Sequence, residues 1–385
     1  MLICRVVGGS RLEVAGVGVS KSKGWRRGNI VDLDAAVASI REAVEEAESE
    51  ADTTVESAYV GVGGTHIHGV NAQGGLTLGP RRREITREDV DRVVQRAQEI
   101  SLPPDQQIIH VFPQEYLLDT QTGIHDPMGM VGQNLEANVH LITASSAALR
   151  NVVTAVNRSG IYVLGTVLEQ IASSESNLQD DDRGLGVVLV DIGASTAEFI
   201  LYDQGMLRHT AAIPVGGDHF TNDVAVVLRT PISEAEKLKC AWGLPKSGHS
   251  SFEALEVSGV AERPSRMVPY VKLAEILEAR AMELLEKIQA EIARQSIEGQ
   301  LGAGVVLTGG GAKLNGLVEM AERILSMPVR RGIPGGLSKM GELVLDPICS
   351  SVVGLVSFAH RMRQRQVVRK KTLKGRFLSL FRTHS

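Results

Sequence analysis

The hydrophobic pattern alternates between short apolar runs with period two and longer stretches with period near 3.6. Leu2 to Val7 and Leu12 to Val19 read as two strands joined by Gly8-Gly9-Ser10. Leu33, Val37, Ile40 and Val44 then fall on one face of a helix that Asp32 or Asp34 can cap and that runs to about Glu48. Ser57 to Val62 is a further strand, closed by Gly63-Gly64. The texture changes from Ile67 to Leu141. Short strands (Gly69 to Asn71, Ile108 to Tyr116, Ala137 to Ile142) surround a helix from about Thr86 to Ile100, opened by a Thr86/Asp89 capping box. This stretch predicts an inserted α+β subdomain, with Arg81-Arg82-Arg83 before its helix as a solvated charge run.

Helix, strand and helix follow over Ala144 to Arg158, Tyr162 to Thr166 and Leu168 to Asn177. The polar, Gly-ended segment Gln179 to Gly186 predicts a hinge between halves. Next comes Val187 to Leu207, an apolar run ending in Asp191, a small-residue turn, and a second strand from Ala197 to Tyr202. Beyond it, helices are predicted over His219 to Leu228 and from Thr230-Pro231 to Trp242, with Thr230 as N-cap and Pro231 at the first helical position. Ser251 to Val260 is a strand region. Leu273 to Gln295 is a long amphipathic helix burying Leu273, Ile276, Leu277, Leu284, Ile288 and Ile292. Gly304 to Thr308 is a strand running through Gly309-Gly310-Gly311 straight into a helix ending near Met327, and Pro347 to Arg363 is a further helix. A strand-rich unit followed by helices occurs twice, which predicts two related halves around a cleft.

Composition narrows the class. At 385 residues the chain is long enough for two or more domains, and 43% hydrophobic with 22% charged residues is ordinary for a globular protein. No apolar run is long enough to span a bilayer. The opening residues do not read as a secretion signal. Cys4, Cys240 and Cys349 lie far apart with no metal-ligand spacing, which fits a reducing compartment. Charge adds one feature that hydropathy misses. Of 41 Lys and Arg, nine fall between Arg361 and Ser385, where there is no acid; the preceding 360 residues carry 32 basic against 45 acidic groups, a net of −13. An acidic body with a basic tail implies an anionic partner for the tail.

Four short signals carry candidate chemistry. The first is Asp191-Ile192-Gly193-Ala194-Ser195-Thr196, an acid at a strand end followed by a loop that can lay backbone N–H groups and a hydroxyl against phosphate while the acid faces a metal ion. The second is Gly309-Gly310-Gly311-Ala312, which leaves amide donors free and lets a flat base or ribose lie on bare backbone. The third is Glu236 with Lys239, one turn apart and able to reach a ribose or base, or to form a surface ion pair. The fourth is Gly216-Gly217-Asp218 after a strand, which can equally be a plain strand-to-helix turn. Taken singly, a hairpin or a triple glycine is more often an ordinary turn; the order and spacing of all four is the specific feature.

That order resembles the actin-like ATPase superfamily, and within it the FtsA family of bacterial division proteins. The resemblance extends from Leu2 to the tail and includes Gly28-Asn29-Ile30-Val31-Asp32, Tyr59 to His66, Asn138-Val139-His140, Pro214 to Asp218, Thr230-Pro231 with Ala235-Glu236 and Leu238-Lys239, Thr308 to Ala312, and Pro347 with Val353-Gly354-Leu355. It implies an α/β, actin-like (ribonuclease H-like) two-domain fold with an inserted α+β subdomain, N-terminally incomplete, plus a C-terminal amphipathic tail. The implied division is 1–66 with 144–182 as the first core half, 67–143 as the insert, 183–217 with 301–360 as the second half, 218–300 as a second small subdomain, and 361–385 as linker and tail.

The implied cofactors are ATP and Mg2+. Asp191 would face the metal, Gly193, Ala194, Ser195 and Thr196 would contact the β- and γ-phosphates, and Glu169 would lie near the attacking water. Gly216, Gly217, Asp218, Glu236 and Lys239 would hold ribose and adenine, and Gly309, Gly310, Gly311 and Ala312 would form the adenosine floor. Two departures stand out. Family members open with a strand ending in Asp-Ile-Gly-Thr-Thr-Lys or similar, a first phosphate loop that this sequence starts beyond; a start codon assigned too late is the expectation. The family's Asp-Ile-Gly-Gly-Gly-Thr-Thr-Asp is here altered at Ala194, Ser195, Ala197 and Glu198, which implies sensing of ATP with weak or no turnover.

In the tail, Leu373, Phe377, Leu380 and Phe381 recur at helical spacing beside Leu378, ringed by Arg369, Lys370, Lys371, Lys374, Arg376 and Arg382. This is the signature of an interfacial helix on anionic lipid. A nucleic-acid-binding tail has no need of that apolar spacing, so no nucleic acid is expected as a partner. The implied partners are the FtsZ C-terminal peptide on the second small subdomain, with Arg280 as a candidate contact; further copies of the chain in filaments; anionic membrane lipid; and other divisome proteins through the insert. The implied location is the cytoplasmic face of the inner membrane at the septum. A kinase or phosphohydrolase of the same superfold and a PilM-like pilus-assembly adaptor are the alternative readings.

Overall fold

The computed structural model describes residues 1–244, 254–260, 264–295 and 301–364. Its N-terminal strands Leu2–Val7 and Arg11–Val17 form an antiparallel hairpin, while Ser57–Val62 pairs in parallel with Tyr162–Leu168. Helix Leu33–Ala51 starts where the Asp32 carboxylate accepts the Ala35 amide at 3.0 Å. It lies directly on the hairpin: a Cβ on Gly18 would fall 1.8 Å from the Ala43 carbonyl oxygen. Glu50 and Glu46 on that helix accept the amides of Val17 and Val19.

Within residues 67–145, Ile67–Thr77, Asn134–Ser145, Gln106–Leu118 and Gln121–Ile124 form a four-stranded antiparallel sheet in that order. Helix Arg87–Ala97 packs on it, and the Thr86/Asp89 capping box forms as the sequence predicts. The Arg81–Arg83 run is not wholly solvated. Arg83 makes two bonds to the buried Asp89, at 2.6 and 2.7 Å, and holds that carboxyl well below the usual range. His140 ties this unit to strand Met206–Ile213: its ring nitrogens meet Asn71 Oδ1 at 2.6 Å and Thr210 Oγ1 at 2.9 Å.

The second half is built on a five-stranded sheet ordered Met206–Ile213, Ala197–Asp203, Val187–Ile192, Val305–Thr308, Val329–Arg331. Val187–Ile192 is antiparallel to Ala197–Asp203 and parallel to Val305–Thr308. Both faces of the central strands are covered, which is why they read as unbroken apolar runs. Val188, Val190 and Ile192 join one core with helices Gly217–Val227 and Tyr270–Arg294, whereas Val187 and Leu189 join another with Leu168 and Ile171. By the two-residue period of a strand, Asp191 shares the second face and points at helix Glu169–Asn177.

Three expectations change. Gln179 to Gly186 is no open hinge; Asp180–Leu185 is a short helix, capped through Asp182 and tied to Arg330. Thr230 is not the cap of the next helix, which runs Ile232–Trp242 with Pro231 at the N-cap; the Thr230 hydroxyl instead donates to the Ser258 carbonyl at 2.8 Å. The triple glycine does not run straight into a long helix. Gly310–Lys313 is a 3₁₀ turn, and helix Leu317–Leu325 begins only after Gly316, whose φ is +79°.

The halves meet where helix Glu169–Asn177 crosses the helix over residues 350–364. A Cβ on Gly354 would fall 1.6 Å from the Ala172 carbonyl oxygen, so the two backbones touch. Polar contacts line the crossing: Ser176 Oγ donates to the Ser350 carbonyl at 2.8 Å, and Arg361 grips Glu175 through two 2.6 Å bonds.

Candidate functional site

Three carboxyls, Asp191, Glu198 and Glu169, gather where strand Val187–Ile192 ends. Asp191 Oδ2 accepts from Ser173 Oγ at 2.5 Å and from Ser351 Oγ at 3.0 Å, and the two hydroxyls are 2.8 Å apart. Each crossing helix therefore sends one serine to the same carboxylate. The hairpin register sets Asp191 opposite Glu198. Glu198 Oε1 accepts the Gly64 amide at 2.8 Å and the Thr196 hydroxyl at 3.1 Å, and Oε2 accepts from Gln170 Nε2. Glu169 lies beside both acids, against the glycine loop, so that a Cβ on Gly63 would meet its Oε2 at 2.4 Å.

Burial and mutual repulsion raise these carboxyls. Burial first, then the charges of Glu198 and Asp191, push Glu169 up to about 8. Burial also lifts Glu198 to about 7 against the opposing pull of the Gly64 amide and the Thr196 hydroxyl. Burial raises Asp191 too, with the two serines opposing it. Among the described residues no ion pair reaches any of the three, so the cluster is short of positive charge.

The glycine signals converge on this spot. In the hairpin turn the Gly193 amide donates to the Thr196 carbonyl at 2.9 Å, and Ala194 is exposed beside Ser195. The start of helix Gly217–Val227 docks on that turn: the Gly217 and Asp218 amides donate to the carbonyls of Gly193 at 2.9 Å and Ala194 at 2.7 Å. Gly216 is required there, since a Cβ would lie 2.7 Å from three backbone atoms of the turn. Lys239 Nζ reaches the Gly217 carbonyl at 3.2 Å, Thr221 Oγ1 at 3.0 Å and Glu236 Oε2 at 2.7 Å. Glu236 and Lys239 are therefore an ion pair, as one sequence reading has it, and one that borders the cleft. On the neighbouring parallel strand, just past Thr308, Gly309 at φ +79° leaves only 2.2 Å between its missing Cβ and Asp191 Oδ1. Gly310 is exposed, Gly311 is half-buried against Ile192 and Ala312 is buried.

Arg280 lies elsewhere. It is bound to Asp223 at 2.6 and 3.0 Å and to Glu283, on helices Gly217–Val227 and Tyr270–Arg294. Arg369 to Arg382 lie outside the described residues.

Ser173, Ser351 and Gln170 are cleft residues that motif reading misses. Their one sequence signal is a set of polar residues (Gln170, Ser173, Ser174, Ser176) on an otherwise core-facing helix, all of them buried. Buried hydroxyls require partners, and here two of them serve Asp191 and the second helix.

An α/β molecule of two halves, joined by two crossing helices, with an acid-ended hairpin and a triple glycine at the ends of neighbouring strands, has the actin-like fold. In keeping with this, the chain superposes on a solved PilM-PilN type IV pilus biogenesis complex with a TM-score of 0.65, covering 94% of each chain at 15% identity. That likeness is one of fold. Sequence decides the family. The model of "Cell division protein FtsA" matches residues 188–354, and that of the "SHS2 domain inserted in FTSA" matches 64–143. The cell division protein FtsA of Pseudomonas aeruginosa is 40% identical over 359 residues, covering 93% of this chain and 85% of that relative. The FtsA of Neisseria meningitidis serogroup B is 37% identical over 363 residues (94% and 87%), and that of Escherichia coli K12 is 36% identical over 368 (93% and 86%). The chain belongs to the FtsA family of cell division proteins.

Proposed function

We propose that the protein is an adaptor of the division machinery that binds ATP in the cleft, polymerises in an ATP-linked manner, carries the FtsZ C-terminal peptide on its second small subdomain and anchors the Z ring to the cytoplasmic membrane through its tail. The observation that carries this reading is the convergence, in a chain of this family, of four sequence signals from across residues 191–312 on one cleft. Asp191 would hold Mg2+, Gly193 to Thr196 the phosphates, Gly216 to Asp218 with Glu236 and Lys239 the ribose and base, and Gly309 to Ala312 the floor. The donor set fits a hard divalent cation, which would supply the positive charge that three clustered carboxyls lack. Mg2+ binds through one or two carboxylates together with phosphate oxygens and water, and Asp191 would be the carboxylate here. The alterations at Ala194, Ser195, Ala197 and Glu198 favour sensing of ATP over its consumption.

For the peptide, the second small subdomain offers an exposed apolar face. Val226 and Val227 end one helix and Ile232 opens the next, all three exposed. Arg280 lies on the same subdomain. For the membrane, no described helix is long and apolar enough to cross a bilayer. A basic amphipathic tail attracts anionic lipid by about 1 kcal/mol per surface Lys or Arg, and each buried Leu or Phe adds roughly 1.5–3 kcal/mol before ordering costs. Filament assembly would multiply that reversible grip. The location would be peripheral, on the cytoplasmic face at the septum.

The test is co-sedimentation of the full-length protein with vesicles containing anionic lipid, with and without Mg-ATP, beside binding of a labelled FtsZ C-terminal peptide. Deleting residues 369–385 is expected to abolish sedimentation and leave peptide binding intact. Sedimentation that persists after the deletion refutes the anchor.

A further inference from the structure

We propose that Glu198 is the latch of the cleft: an internal anion that binds the two halves together and is displaced by the phosphate of an incoming nucleotide. Its competitive part rests on the nucleotide reading above. Glu198 stands on strand Ala197–Asp203 of the second half, yet its partners come from three elements. The Gly64 amide belongs to the glycine loop after strand Ser57–Val62, Gln170 to the first crossing helix, and Thr196 to the hairpin turn. The side chain is only 4% exposed. A backbone N–H, a hydroxyl and an amide gathered round one oxyanion is also how phosphate is bound.

The glycine loop is gripped on two sides. A Cβ on Gly63 would sit 2.4 Å from Glu169 Oε2 and 3.5 Å from Glu198 Oε1, so the loop backbone passes directly over the acid pair. Two of the donors that Glu198 occupies, the Gly64 amide and the Thr196 hydroxyl, line the cleft that a phosphate would enter. A dianionic phosphate there meets a carboxylate already holding its donors, and like charges at such range repel strongly in a buried site. Binding therefore requires Glu198 to let go, and letting go frees the loop of the first half from the sheet of the second. Gln170 keeps a second signature of this arrangement: its Oε1 is buried with no hydrogen-bond partner among the described residues, so its amide is oriented by Glu198 alone.

Two variants separate latch from strut. Glu198→Asp keeps the charge but is one methylene too short to reach Gly64 and Gln170 together; Glu198→Gln keeps the reach and removes the charge. Hydrogen exchange of the Gly64 amide is followed in the nucleotide-free full-length protein, and binding of a fluorescent ATP analogue is titrated in Mg2+. Loss of a bond to a charged acceptor predicts about tenfold faster exchange at Gly64 in Glu198→Asp, with tighter nucleotide binding in both variants. Unchanged Gly64 exchange in Glu198→Asp overturns the latch. Faster exchange with unchanged or weaker binding overturns the competition. Faster exchange with no nucleotide bound by wild type or either variant refutes the nucleotide reading of the cleft and leaves the latch standing.

Discussion

The crossing of the two connecting helices makes a sharp prediction at Gly354. A Cβ there would lie 1.6 Å from the Ala172 carbonyl oxygen and 2.4 Å from its carbon, where ordinary contact begins at 3.4 Å. Both obstructing atoms are backbone, so no rotamer change relieves the clash. The helix over residues 350–364 has to retreat by roughly 2 Å before Gly354→Ala is accommodated, a displacement that a close-packed interior does not absorb locally. Overpacking of this kind costs about 1–3 kcal/mol.

The retreat also stretches three short polar contacts made by that helix: Ser173–Ser351 at 2.8 Å, Ser176 to the Ser350 carbonyl at 2.8 Å, and Ser351 to Asp191 at 3.0 Å. At about 1 kcal/mol for each lost bond the total reaches roughly 4–6 kcal/mol, a large share of the ~5–15 kcal/mol that holds a domain folded. At about 2–4 °C per kcal/mol, the melting temperature should fall by roughly 8 °C or more. Differential scanning calorimetry of the full-length protein measures it, with Gly341→Ala as control because no heavy atom lies within 4 Å of its added Cβ. A Gly354→Ala variant melting within about 2 °C of wild type, on the same scale of ~2–4 °C per kcal/mol, would mean that the helices are not held at backbone contact, and the coupling of Asp191 to both of them would fall with it.

Three further outcomes can be measured. Glu169, pushed up to about 8, keeps its proton in the folded protein from about pH 4.5 toward 8, where the unfolded chain has released it; Glu198, pushed up to about 7, ionises earlier in that window. The folded state thus binds more protons, and the cation-free protein should lose stability as pH rises through that window; urea midpoints at about pH 5 and pH 8 should converge in Glu169→Gln, and an unaltered difference refutes the assignment. Thr86→Ala removes the cap of helix Arg87–Ala97 and should cost about 0.5–2 kcal/mol, read as faster amide exchange confined to the insert; unchanged exchange there would refute it. His140→Leu leaves the buried Thr210 hydroxyl without its imidazole partner, at about 1–3 kcal/mol, and should speed proteolysis between the insert and strand Met206–Ile213; wild-type resistance would show that the joint is not held by that imidazole.

Much of the fold is legible in the chain because it is local. Period-two runs give the strands, apolar stripes give the helices, and Thr86 with Asp89 gives a cap that forms as read. Where a short-range rule failed, a long-range partner had taken the group. Thr230 looks like a helix cap, but the Ser258 carbonyl claims its hydroxyl. Arg83 looks like one of three solvated arginines, but a buried acid holds it. Arg280, a candidate contact for a peptide, also has a partner that spacing does not reveal: Asp223, 57 residues away, binds it at 2.6 Å.

The cleft divides in the same manner. The sequence by itself determined the candidates for phosphate contact: an acid at a strand end, small residues after it, glycines where backbone must approach, and an i, i+3 pair of Glu236 and Lys239. Only the tertiary structure decided that these meet, and that Glu198, in sequence a mere substitution within a motif, reaches across 134 residues to Gly64. The physical reason is that strand period fixes the face on which Asp191 and Glu198 lie, while the partner on that face depends on sheet order and on how two helices cross at Gly354. Local propensity carries no record of either.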